Sequence, residues 1–432
     1  MVLSSLQSWL SKAPNYTIFR VNRLSKFDQF DCTNLQKYLE VQSKTLNSPV
    51  IPKITFVKPD CFVIESWPAD TVVERSRNEV IVDTMCAAAV LRGAHVYAPG
   101  VLGLSPNCQL DEKIDIYADL DAQCKRGLKI QYDGNKQYVG TGHLKMLRRE
   151  LFDNGIQASG IAIHTLLPAS RLPVINETVC PKGQLLLQNF PSIVAGWVVD
   201  AKPFEYILDM CAAPGNKTTH LAEMSDNKAH IVSIDKSEQK VAKIKQSCET
   251  QGVSCVDAYV YDSRKCHLDG AADMKCPPFP SNTFDKVLLD APCSGLGQRP
   301  QLSDCKMSLK MLQSYKFVQR QLFDAAVQVL KLGGKLVYST CTVTVDENEG
   351  MVAWVLEKFP CLQLIPAEPY YGGPGLPNVG LSDEQRVMVQ RFGPEEDPLR
   401  KVQNLSKNTI GFFIAAFIKI NDHKPNVQSK KN

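Results

Sequence analysis

The stretch "EYILDMCAAPGNKTTH", residues 205–220, decides how the chain folds. Tyr206, Ile207 and Leu208 run into an acid, Asp209. A turn of small residues follows, and Lys217 opens a helical stretch. A short apolar run ended by an acid and a small-residue turn reads as a strand buried on both faces that feeds a helix. The same rhythm recurs in "AHIVSID" (229–235), "CVDAYVYD" (255–262), "FDKVLLDAP" (284–292) and "KLVYSTC" (335–341). Helical patterns such as "SEQKVAKIKQSCETQG" (237–252) and "YKFVQRQLFDAAVQVLKLGG" (315–334) lie between them, and "TIGFFIAAFIKI" (409–420) adds a late buried strand. Strands alternating with helices predict a Rossmann-like α/β domain with a mostly parallel sheet, over 204–421.

Upstream the pattern is different. "YTIFRVN" (16–22), "ITFVK" (54–58) and "CFVIES" (61–66) read as strands, and "TNLQKYLEVQSK" (33–44) as a helix, which predicts a small α+β unit over 1–76. "NEVIVDTMCAAAVLRG" (78–93) reads as a helix stopped by Gly93. Glycine-punctuated runs follow, "AHVYAPGVLGL" (94–104), "EKIDIYADL" (112–120) and "LKIQYDGNKQYVGTG" (128–142). They predict a small β-barrel over 77–172. Two basic clusters fall there, Lys125, Arg126 and Lys129, then Lys145, Arg148 and Arg149. Residues 173–203 read as a linker or remainder of the N-terminal unit, with a helix at "PSIVAGWVVDA" (191–201), and 422–432 as a disordered tail.

Bulk properties narrow the class. The 432 residues are 44% hydrophobic and 22% charged, with 49 Lys+Arg against 45 Asp+Glu, a net charge of +4. That is globular composition, and so small an excess leaves the placement of charge to decide on nucleic acid. The 15 cysteines include no C-x-x-C pair, and no H-x-x-x-H occurs, which argues for a reduced setting, the cytosol, without a structural metal. The opening "MVLSSLQSWLSKAP" reads as a short amphipathic helix on Leu3, Leu6 and Leu10 rather than a leader, and no apolar run has the length of a membrane span. Nothing points to obligate oligomerisation, so a monomer is expected.

In open α/β sheets ligands bind beyond the carboxyl ends of the strands. Those ends carry Asp209, Asp235, Asp262, Asp290 and Cys341. The first turn is neither G-x-G-x-x-G nor a P-loop. Asp235 lies where an acid grips ribose hydroxyls, and Asp262 where one accepts from an adenine amino group. A nucleoside-bearing cofactor without a dinucleotide fingerprint fits S-adenosylmethionine. Cys293 and Cys341 each lie just past the end of a strand. The C5 carbon of a pyrimidine is a poor nucleophile, but a thiolate added at C6 makes it enamine-like and able to take a methyl group. Asp290 beside Cys293 can hold the edge of the base. The base must be unstacked to enter such a pocket. Spacing alone leaves open which cysteine attacks.

The motifs "ILDMCAAPGNKTTH", "VSIDKS", "VLLDAPCSGLGQRP" and "VYSTCTVTVDENE" resemble those of the Sun-domain RNA (cytosine-5) methyltransferases, across roughly 170–421. The resemblance implies a class I methyltransferase sheet of seven strands. It implies Cys341 as the nucleophile, Cys293 as the residue that assists product release, and Asp290 and Lys217 in the active site. Cys211, Ala212, Ala213, Pro214, Gly215, Asn216 and Lys217 would line the cofactor, with Asp235 on the ribose, Asp262 on the adenine and Asp290 between cofactor and base. "AVLRGAHVYAPGV" with "CKRG" is similar to a PUA domain, and the N-terminal unit to an RRM-like fold. That upstream domain resembles the sixth animal branch of the family, which modifies the acceptor end of tRNA. It implies a tRNA acceptor stem and CCA end near Arg92, Tyr97, Lys125 and Arg126, and 5-methylcytosine as product. The family reads C-A-A-P-G-G-K where this chain has Asn216, a residue that tolerates positive φ. The alternative is an inactive tRNA-binding protein on the same fold.

Overall fold

The computed structural model describes residues 2–24, 32–153, 158–176, 179–270, 276–303 and 307–422. The expected tail from 423 onward lies outside them. The chain divides into two units, one built on Asn22–Asp28, Gln188–Gly297 and the chain from Met307, the other on Met1–Val21, Gln29–Leu187 and Gln298–Lys306, each as far as its residues are described.

The first of these holds the α/β sheet. Its strands are β1 (Tyr206–Asp209), β2 (His230–Asp235), β3 (Val256–Val260), β4 (Phe284–Asp290), β5 (Leu330–Thr340), β6 (Leu362–Ile365) and β7 (Phe412–Lys419). They lie in the order β3-β2-β1-β4-β5-β7-β6, and a short strand, Gln390–Phe392, pairs with β7. The β3-β2-β1-β4-β5 pairs are parallel. β7 is antiparallel to both β5 and β6. The helices are α1 (Phe190–Val199), α2 (Asn216–Met224), α3 (Glu238–Gln251), α4 (Leu309–Val329) and α5 (Glu349–Lys358). Val287, Leu288 and Leu289 of β4 are all fully buried, as a central strand covered on both faces requires. One core joins Leu208, Val287, Leu289, Leu336, Phe323 and Phe417. The chain reverses at β1, so β1 and β4 flank the point where loops to the two sides diverge and a ligand crevice opens.

The other unit holds two sheets. Leu185–Leu187, Tyr16–Val21, Cys61–Glu65 and Ile54–Lys58 form an antiparallel sheet in that order. Leu35 and Leu39 of the helix Thr33–Thr45 pack with Phe19, Phe62 and Ile64. A six-stranded sheet has the order Val96–Tyr97, Ile161–Pro168, Lys136–Leu144, Lys113–Asp119, Glu79–Val82, Val101–Leu104.

Three expectations change. The helix expected over 78–93 is a strand, Glu79–Val82, then a helix, Thr84–Leu91. Val80, Ile81 and Val82 are buried and suit a strand, and Asp83 caps the helix by accepting from the Cys86 amide. The strand expected from Leu128 begins only at Lys136. Residues 173–203 are no single linker: Leu185–Leu187 adds a strand to the first small sheet, whereas α1, apolar all round and buried, belongs to the α/β unit.

Candidate active site

β1 delivers Asp209 to a fully buried position, where it accepts from the Thr218 hydroxyl at 2.8 Å. Burial pushes its carboxyl up to about 7. Gly215, at φ 107, turns the chain from β1 into α2. A side chain there would be strained in φ and would crowd Ile244 of α3. Asn216 is the first residue of α2 and is not left-handed. The tolerance of Asn for positive φ is therefore not called on: Gly215 bears that conformation, and the departure from the family's second glycine costs no backbone strain.

Lys217, the next residue of α2, points its ammonium at Asp290 Oδ2, 2.6 Å away, and over the Phe412 ring at 5.5 Å. The other oxygen, Asp290 Oδ1, accepts from Ser339 Oγ at 2.6 Å. That contact follows from register, because Asp290 of β4 pairs directly with Ser339 of β5. Cys293 lies three residues past β4 and Cys341 one residue past β5, and their Sγ atoms are 3.4 Å apart. The sulfur contact raises the Cys293 thiol far above its ordinary range, and burial adds to the effect. Either sulfur can be the donor in that contact. The loops cross tightly below the pair. The Gly297 amide donates to the Cys341 carbonyl at 3.0 Å and the Gly411 amide to the Gly297 carbonyl at 2.8 Å. A Cβ on Gly297 would collide with the Gly411 carbonyl.

On the far side of β1, Asp235 ends β2, with Lys240 at 3.6 Å. Asp262 lies two residues past β3 and is clasped by Arg264, with Nη2 at 2.5 Å from Oδ2, which holds its carboxyl below the usual range. Cys211 is packed into the core, and its thiol is raised well above the ordinary value by burial.

The profile of the family described as 16S rRNA methyltransferase RsmB/F matches residues 197–418. The chain belongs to the RsmB/F methyltransferase family. It is 40% identical over 437 residues to a mouse protein named tRNA (cytosine(72)-C(5))-methyltransferase NSUN6, covering 98% of this chain and 90% of that one. A Pyrococcus horikoshii tRNA (cytosine(72)-C(5))-methyltransferase is 33% identical, with 88% and 84% covered. The crystal structure of NSun6 from Pyrococcus horikoshii with SFG, an analogue of S-adenosylmethionine, matches at a TM-score of 0.71 and 28% identity, over 97% of this chain and 94% of that one. This RsmB/F member is an S-adenosylmethionine-dependent methyltransferase.

The donor set fits that cofactor. Among the described residues the Asp235 carboxylate meets Lys240 at 3.6 Å and the Ser237 amide at 3.4 Å, leaving lone pairs for a ribose diol. The small residues from Ala212 to Gly215 permit close backbone approach. Among the described residues no cluster of His, Cys, Asp and Glu is arranged to hold a metal, and no helix is long and apolar enough to cross a membrane.

The sequence-predicted RNA residues lie in the other unit. Tyr97 and Lys125 are exposed. Arg126 donates to the carbonyls of Pro99 and Val101, at 2.9 and 3.0 Å, which brings its loop beside Tyr97. Arg92 is held elsewhere, donating to the Arg299 carbonyl at 3.2 Å. Arg148 likewise serves the carbonyls of Leu104 and Leu128. Part of the basic charge therefore anchors loops.

Sequence reasoning missed Ser339 and Glu347. Strand pairing between "LLDAP" and "VYSTC" would have placed Ser339 opposite Asp290. Glu347 had no such signal, because it is one of three acids in "VDENE" and nothing in their spacing separates the buried from the exposed.

Proposed function

We propose that the protein methylates C5 of the cytosine closing the acceptor stem of tRNA, the position 72 named for its relatives, with the C-terminal α/β part (204–421) as the catalytic domain. The observation that carries this reading is the Cys293–Cys341 pair at 3.4 Å beside the Lys217–Asp290 pair, in a chain 40% identical to a protein of that name over nearly its whole length.

S-adenosylmethionine supplies an electrophilic methyl group when bound. The turn from Cys211 to Lys217 would line it, Asp235 would accept from its ribose hydroxyls, and Asp262 would face its adenine by giving up one oxygen from Arg264. Cys341, as the thiolate with its proton given up to solvent, would form a bond from Sγ to C6 of the cytosine, and the electron pair of the C5–C6 double bond would move to C5, making C5 the nucleophile for the methyl group that the cofactor would supply. Asp290, oriented by Ser339 and Lys217, would hold the base edge by accepting from its amino group as charge develops on the ring. The C5 proton then leaves to solvent, its electron pair rebuilds the C5–C6 double bond, and the S–C6 bond breaks with its pair returning to Cys341. Cys293, kept as a thiol, donates a hydrogen bond to the departing thiolate.

Residues 77–172 would act as a PUA domain and 1–76 as an RRM-like part. Tyr97, Lys125, Arg126 and Arg92 would lie toward the CCA end, the first three as one loop cluster. A single chain in the cytosol is the active form in this reading. The inactive-binder alternative loses its motive, because Asn216 leaves the turn unstrained.

Labelled S-adenosylmethionine with tRNA and with ribosomal RNA tests the reading. Methyl transfer to position 72 of tRNA is expected, with Cys341→Ala losing about 10⁴-fold or more. Cys293→Ala is expected to accumulate a covalent protein–RNA adduct that survives denaturation. Full activity of Cys341→Ala, or labelling of ribosomal RNA alone, overturns the assignment.

A further inference from the structure

The loop that carries Cys293 is held by one acid from the loop that follows Cys341. Glu347 is buried, and its carboxylate takes four donors. Oε2 accepts from the Ser294 amide at 2.9 Å and from Gln319 Nε2 at 3.0 Å. Oε1 accepts from Ser294 Oγ at 2.6 Å and from Thr344 Oγ1 at 2.8 Å. The Ser294 hydroxyl has one proton, so giving it to Glu347 leaves its lone pair for Thr342 Oγ1, 2.7 Å away. Gln319, buried in mid-α4, also donates to the Pro292 carbonyl at 3.0 Å. Cys293 is thus bracketed on both sides, through Pro292 and Ser294, by groups that converge on Glu347. The Tyr338 hydroxyl donates to the Glu347 carbonyl at 2.6 Å and fixes the acid's own backbone to β5.

We propose that Glu347 is the positioning residue for Cys293: it sets the register of the Cys293 loop against the Cys341 loop and so fixes the distance between the two thiols. Its part in turnover rests on the release role given to Cys293 above. Polar loops at a strand end have few apolar contacts to hold them, and a carboxylate is the one side-chain group that accepts from four donors without offering any. A misplacement of about 1 Å costs about 100-fold in a reaction step. Loss of Glu347 should therefore slow release, not attack.

The test compares full-length Glu347→Ala, Ser294→Ala and Cys293→Ala with the unaltered protein on substrate tRNA, scoring adduct per folded molecule and turnover. Glu347→Ala is expected to accumulate adduct as Cys293→Ala does, with release slowed by about 10- to 100-fold. Glu347→Gln is expected to restore release, because the Ser294 and Thr344 hydroxyls can turn and accept from its amide. If Glu347→Ala does not fold, Ser294→Ala, which removes one hydroxyl, gives the same effect in weaker form. A purely structural role would lower adduct and turnover together, and that result overturns the proposal. A second readout needs no RNA. Diamide takes two hydrogens from a thiol pair and leaves a disulfide, so the rate of Cys293–Cys341 disulfide formation, mapped by mass spectrometry, reports their juxtaposition. It should fall at least several-fold in Glu347→Ala. An unchanged rate overturns the positioning itself. A slower rate without adduct in either Cys293→Ala or Glu347→Ala keeps the positioning and instead removes the release role of Cys293.

Discussion

The two halves of the sheet end hold their carboxylates in different ways. On the β2–β3 side, Asp235 meets a Lys240 side chain that is 60% exposed, and Asp262 a half-buried Arg264 side chain that is 34% exposed. On the β4–β5 side, Asp290 meets a Lys217 side chain that is 13% exposed, and Glu347 meets only buried or half-buried donors. An exposed pair contributes about 0–1 kcal/mol. A hydroxyl of an arriving cofactor can displace it at little cost. The Lys217–Asp290 pair is half-buried, at 13% and 30% exposed, so removing one partner costs more than losing an exposed pair but less than the about 3–5 kcal/mol of a fully buried pair. The side where bonds to the base form and break is therefore rigid before substrate arrives, and the side that binds and releases cofactor exchanges partners easily.

The sharpest way to break this division is Asp290→Asn. Turnover should fall about 100- to 1000-fold while cofactor affinity, read by calorimetry, stays within about threefold. Equal losses in both would mean the halves are not separate. Asp235→Asn should do the opposite. A charge-assisted hydrogen bond is worth about 1.5–3 kcal/mol, so affinity should weaken about 10- to 100-fold with turnover at saturating cofactor nearly unchanged. The smallest effect concerns Asp209, behind the rigid half. Its folded carboxyl titrates at about 7 against an ordinary value of 3.8. Between those values the folded protein holds a proton that the unfolded chain does not. Stability from this residue is therefore lost as pH rises from about 4 to about 7, then stays level. Asp209→Asn, which keeps an oxygen for Thr218, should flatten that slope and melt a few degrees higher than the unaltered protein at pH 8. Melting curves from pH 4 to 8 with the same offset throughout would show that burial does not govern Asp209.

Much of the α/β unit was legible because its signal is local. An apolar run ending in an acid needs no partner to be recognised, and Asp209, Asp235 and Asp290 fall at the ends of β1, β2 and β4 as that pattern requires. The seven-strand count implied by the family resemblance holds, with one short strand added. Glu79–Val82 was misread because four residues cannot display a period, although the Asp83 cap that follows was visible in the sequence. Burial among acids was not legible at all. In "VDENE" the Asp346 side chain is 69% exposed, whereas Glu347 and Glu349 are buried, and only tertiary contacts separate them. For the basic residues, sequence displays charge but not which guanidiniums also donate to their own backbone, as Arg126 does.

Gly297 and Gly411 are far apart in sequence, yet their backbones touch directly beneath the thiols. Neither carries a functional group. A random-mutagenesis screen that scores only dead enzyme should nevertheless recover changes at both, mixed with changes at the cysteines. Sorting them requires asking whether the purified variant still binds cofactor and tRNA. Such hits would mark where main chain must meet main chain, and counting them as chemistry would enlarge the active site on paper by two residues that have no side chain to act with.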